Sequence, residues 1–124
     1  MFVYKYPRWA AQIFYIHNDH EHHFSFDGVK DLMKFYFEPE EWGDYKTVKQ
    51  AITKILVTDY YSQQAINGKT AFYVIGSDIL GPMGNEFIPF EFEHDAKIFE
   101  RDHKGTKIIH FDQITKEGVY SLDE

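Results

Sequence analysis

The order of local signals along this chain repeats, and the repetition narrows the folds open to it: strand, strand, helix, strand, first over residues 9–60 and again over 71–111. Trp9 to Ile16 is strongly apolar, and after a polar loop His23-Phe24-Ser25-Phe26 alternates as a half-buried strand does. Asp27 suits the N-cap of a helix in which Val29, Leu32, Met33 and Tyr36 fall at helical spacing until Pro39 stops it. Glu40 to Lys46 reads as a polar connection, and Val48 to Tyr60, rich in β-branched residues, returns as a strand. Asn67-Gly68 predicts a hairpin joining 60–66 to 69–75. The second pass runs strand 71–76, loop, strand 86–92, helix 94–103 carrying Ala96 and Phe99 with Gly105 beyond its end, and strand 107–111. The reading is a single α+β domain, 1–124, of two ββαβ-type repeats at about 1–58 and 59–115, joined without a linker and followed by a short C-terminal tail.

Aligning the halves places the loop 77–85 opposite the loop 17–22, and both are chemically unusual. The first contains Gly81-Pro82-Met83-Gly84, in which Gly and Pro supply the backbone angles of a tight turn. The methionine it holds has two readings: a gap-filler folded over the core, or a thioether ligand of the soft kind that suits Cu(I). Cu(I) takes several soft donors, so Met83 alone does not make a tight site. The second loop is His17-Asn18-Asp19-His20-Glu21-His22, followed by His23. Histidines crowded among carboxylates suit Cu(II), Ni(II) or Zn(II), with His20 and His22 the central candidates. The alternative is a solvated polar loop that binds such ions only opportunistically. His94 and His110 read as capping and packing residues, and His103 sits near a helix C-terminus, where the dipole favours it.

Composition excludes much else. The chain has no cysteine, hence no thiolate nucleophile or cysteine zinc site. A formal charge of −7 argues against nucleic acid as a partner. There is no Gly-x-Ser-x-Gly elbow, phosphate loop or dinucleotide fingerprint, so the expectation is a protein that is not an enzyme. No apolar run is long enough to span a bilayer, and the 19% aromatic content argues for an extensively packed domain.

Several separated strings occur together in order: Met1-Phe2-Val3-Tyr4-Lys5-Tyr6-Pro7 with Trp9-Ala10-Ala11-Gln12-Ile13, then Phe26-Asp27-Gly28-Val29-Lys30-Asp31. Tyr73-Val74-Ile75-Gly76-Ser77-Asp78, Gly81-Pro82-Met83-Gly84 and His110-Phe111-Asp112-Gln113-Ile114 follow. Over residues 1 to 115 this resembles the NosL family of nitrous oxide reductase accessory proteins, which handle copper. The resemblance implies a two-repeat fold sharing its topology with part of organomercurial lyase. It makes Met83 a candidate Cu(I) ligand, and Met1, at the methionine of the family's Cys-Gly-Met motif, a second one. It also implies a copper metallochaperone of denitrification that delivers to nitrous oxide reductase or its membrane maturation complex. Such proteins are periplasmic or membrane-anchored, so the expectation is that the signal and anchor lie outside this sequence, with the existence of an upstream Cys-Gly left open. The histidine-rich loop departs from the family pattern. Two alternatives stay open: a protein-interaction module on the same fold, and a divalent-metal buffer using residues 17–23.

Overall fold

Successive side chains of a strand point to opposite faces, and β1, Ala11–His17, buries Ala11, Ile13 and Tyr15 on one of them. The computed structural model describes residues 7–43, 48–82 and 84–123. β1 is flanked by β2, His20–Phe26, and β3, Ile52–Thr58, with β4, Ala65–Asn67, beyond β3, giving the antiparallel order β2-β1-β3-β4. A second antiparallel sheet has the order β6-β5-β7, from Ile88–Phe90, Phe72–Ile75 and Lys107–His110. Helix α1, Val29–Phe37, connects β2 towards β3; α2, Glu93–Asp102, connects β6 to β7; α3, Lys116–Ser121, follows. The fold is α+β. In each sheet the first strand of the group lies between the strand that follows it and the strand that comes after the helix.

The second sheet is covered on both faces. Tyr73 and its partner Ile109 face a large core shared with Ile13, Ile55, Leu32, Met33, Phe35 and Val119. Their neighbours Val74, Ile88 and Phe90 face α2 and meet Ala96 and Phe99. Burying a side chain of this size contributes about 1.5–3 kcal/mol, and alternation along β5 places one such residue in each core. Pro89, which cannot donate to a ladder, sits in β6 at the sheet edge.

The two sheets are joined at Asp59, a buried carboxylate just after β3. It accepts from the backbone N–H groups of Tyr61 (3.1 Å), Ser62 (2.8 Å) and Glu91 (2.7 Å), while Tyr60 N–H donates to the Pro89 carbonyl (3.0 Å).

Several local expectations are corrected. Residues 17–22 are not a loop: Asn18 and Asp19, at φ 52° and 64°, form a two-residue turn, and β2 starts at His20. Asn and Asp tolerate left-handed backbone, so this pair makes a hairpin turn without glycine. Asn67-Gly68 does not join paired strands, because β4 pairs with β3 and β5 belongs to the other sheet. Gly68 is there for contact: a Cβ would lie 2.6 Å from Ile55 Cγ2, and its N–H donates to the Ile55 carbonyl at 2.8 Å. The strand expected over 48–60 is confined to Ile52–Thr58, after a 3₁₀ turn at Val48–Ala51. Asp27 does not cap α1, whose N-cap is Gly28. The C-terminal tail contains α3, capped by Thr115 Oγ1, which accepts from Gly118 N–H at 3.0 Å.

Candidate metal centre

The Gly-Pro-Met-Gly segment lies in the connection from β5 to β6. Gly81 and Gly84 pair across it, Gly81 N–H donating to the Gly84 carbonyl (2.8 Å) and Gly84 N–H to the Gly81 carbonyl (3.2 Å). Gly84 has φ +94°, a conformation that L side chains rarely adopt, although a Cβ there would meet nothing within 4 Å. Backbone geometry, not space, requires this glycine. A Cβ at Gly81 would lie 3.5 Å from Trp9 Cε3 and 3.4 Å from Glu86 Cγ, so the turn rests on those two side chains. Trp9 packs on Tyr60, with ring centroids 6.0 Å apart, and Arg8 lies over the same tyrosine. Leu80, just before the turn, is 60% exposed. The two methionines proposed as ligands, Met83 and Met1, lie outside the described residues.

Glu86 was not singled out by sequence. It is a 3% exposed carboxylate two residues beyond the turn, and its Oε1 accepts from the backbone N–H groups of Lys30 (2.5 Å) and Phe87 (3.0 Å). Among the described residues Oε2 has no hydrogen-bond partner. Burial pushes the carboxyl up to about 7, against the two N–H donors and the Lys30 ammonium. A signal for it existed: a lone carboxylate opening the apolar run Phe87-Ile88-Pro89-Phe90. Lys30 and Lys34 both reach Asp123 (2.8 and 2.7 Å) and hold its carboxyl below the usual range.

The histidines are elsewhere in kind. The register pairs His17 with His20 and Tyr15 with His22, which puts His17, His20 and His22 on one face of the hairpin and His23 on the other. All four are exposed. His22 stacks on Tyr15 (5.6 Å) and lies 6.1 Å from the His17 ring, while His23 lies against Phe14 (5.2 Å). Glu21 faces away from this set and accepts from Thr53 Oγ1 at 3.2 Å. Among the described residues, no three His, Cys, Asp or Glu side chains converge as a metal site. His110 donates its N–H to Gln113 Oε1 and packs on Phe72; His103 packs on Phe99 and bonds Asp78 at 3.0 Å; His94 is exposed on α2 and caps nothing.

The sequence profile of the NosL family matches residues 1–119. No curated protein gives a significant match to the chain. The crystal structure of the copper chaperone NosL from Shewanella denitrificans is similar in fold, with a TM-score of 0.70 at 23% identity, over 87% of this chain and 79% of that one. The solution NMR structure of the apo-NosL protein from Achromobacter cycloclastes aligns with a TM-score of 0.58 at 28% identity, over 88% of this chain and 87% of that one.

Proposed function

The chain belongs to the NosL family, and we propose that it is a non-catalytic copper metallochaperone, which binds Cu(I) as cargo and releases it for nitrous oxide reductase maturation. The observation that carries this reading is the family match across 1–119 together with the paired Gly81–Gly84 turn, between whose glycines Met83 falls in the sequence. Met83 would give one thioether and Met1 a second. Trp9, near the start of the described residues, lies beside Gly81, and that contact supports the pairing. Thioethers are neutral and soft, so they hold Cu(I) without competing protons and exchange it with a receiving site. The receiver in this reading is nitrous oxide reductase or its membrane maturation complex, met in the periplasm. Among the described residues no helix is long and apolar enough to cross a membrane.

The test is an anaerobic Cu(I) competition titration of the chain and of Met83→Ala. One equivalent bound, weakened about tenfold or more by the substitution, about 1.4 kcal/mol, supports the reading; equal binding, or none, overturns it. The shared face of His17, His20 and His22 favours a second reading, a divalent buffer that captures Ni(II), Zn(II) or Cu(II). Zn(II) binding that survives Met83→Ala and is lost with His20→Ala and His22→Ala would support it. A folded protein binding neither ion points instead to an interaction module on this fold.

A further inference from the structure

A buried carboxylate with an unpartnered oxygen is costly, and Glu86 has one next to the turn assigned to copper. Its placement is specific. Helix α1 has no side-chain cap of its own, and the orphan N–H of Lys30 in its first turn is taken by Glu86 from 56 residues away. The carboxyl oxygen, which carries partial negative charge in either protonation state, also meets the positive end of the helix. Gly28 makes room for it: a Cβ there would lie 2.2 Å from Glu86 Oε2. That glycine has φ +149°, so both backbone and space exclude a larger residue. Glu86 Cγ in turn supports Gly81, and the preceding Asn85 donates from Nδ2 to the Leu122 carbonyl (3.1 Å) beyond α3. The segment leaving the turn is thus tied to α1 and to the end of α3 within two residues.

We propose that Glu86 is a positioning residue for the copper turn: by capping α1 at the Lys30 N–H, in the space Gly28 leaves, it holds the paired Gly81–Gly84 turn in one arrangement. The proposal rests on the copper reading above. A metal ion on Oε2 is the weaker alternative, because that oxygen lies at the positive end of a helix.

The experiment combines two readouts on wild type, Glu86→Gln, Glu86→Ala and Glu86→Asp. Amide exchange at Gly81 and Gly84 reports the turn without copper, and Cu(I) titration reports the site. Glutamine keeps the carbonyl that accepts from Lys30 and Phe87, so it should match wild type in both. Alanine, which removes the acceptor, and aspartate, which shortens its reach, should speed exchange at both glycines at least about tenfold and weaken Cu(I) about tenfold. In the alanine background, Met83→Ala should then cost less than in wild type. If alanine does not fold, aspartate decides. A folded alanine or aspartate variant with wild-type exchange and wild-type Cu(I) affinity overturns the proposal, as does a glutamine variant as impaired as alanine. Faster exchange with unchanged Cu(I) affinity overturns the link to copper. If wild type binds no Cu(I), the copper reading fails on its own and the exchange result alone decides whether Glu86 holds the turn.

Discussion

The connections that follow the two middle strands make an instructive pair. After β1 the chain turns back through Asn18 and Asp19 alone, whereas after β5 it travels from residue 76 to 87 before β6 begins. The hairpin carries the richer donors, four histidines in seven residues, but they stand exposed on its tip, held by the strand pairing and by the Glu21–Thr53 bond. The longer connection carries a single thioether, yet its flanks are tied to Trp9, α1 and the end of α3. Donor number and backbone support have separated. A ligand set gains selectivity from the residues that fix it, so the region poorer in candidate donors is the one better tied to the rest of the fold.

The tether is also where this comparison breaks most easily. Gly28→Ala should place a Cβ against Glu86 and force a backbone conformation that is nearly glycine-only, with a combined loss of about 3 kcal/mol or more. For a domain of this size that lowers Tm by about 10 °C, measurable by thermal unfolding. An equivalent substitution on the hairpin, His20→Ala, serves as the contrast.

Titration sharpens the same point. The Glu86 carboxyl is raised from 4.5 to about 7 by burial, opposed by its two N–H donors and Lys30 and assisted by Asp31. The folded state therefore binds this proton more tightly than the unfolded chain. Its contribution is complete below about pH 4.5 and is lost as pH rises through 7, with an upper bound of about 3 kcal/mol. Asp123 and Glu38, lowered by their lysine and tyrosine partners, act in the opposite sense, losing stability as pH falls below the ordinary carboxylate range. Urea unfolding from pH 5 to 8 should show stability declining, and Glu86→Gln should flatten that decline. A wild-type profile that rises over this range contradicts the assignment.

These contrasts also explain what sequence could reveal. The elements were legible where periodicity was long: α1 from Val29, Leu32, Met33 and Tyr36, and α2 around Ala96 and Phe99. The Gly-Pro-Met-Gly turn was legible from its backbone chemistry. Asn18-Asp19 makes a primed turn without glycine, so at the hairpin tip sequence alone reads strand residues as loop. Asn67-Gly68 carried the stronger turn signal, but there it marks a crossing between sheets and a close approach to Ile55. Glu86 shows in sequence only as a lone carboxylate opening an apolar run, and its partners do not show at all. Its role depends on meeting Gly28 and the α1 N-terminus across 56 residues, and nothing local to either position records that encounter.

A smaller effect separates backbone from contact within the turn itself. Gly84→Ala adds a side chain to open space but keeps φ +94°, so it should cost about 1–2 kcal/mol by thermal unfolding and weaken Cu(I) binding. Loss of stability near 4 kcal/mol would mean the turn packs more tightly than its open surroundings indicate.

The smallest expected effect lies at the hairpin. Each of His17→Ala, His20→Ala and His22→Ala removes an exposed side chain from a strand end, so each should change stability by no more than about 0.5 kcal/mol. The three share a face, yet among the described residues they do not converge as a metal site, and Glu21 points to the other side and bonds Thr53. Zn(II) binding here should therefore be weak and fall gradually with each substitution, without the abrupt loss that a fixed tetrahedral site shows when one ligand goes. Isothermal titration with Zn(II) on the single and triple variants measures this. An abrupt loss on one substitution would mean that the hairpin closes around the ion and is a built site after all, which would erase the distinction between the two connections.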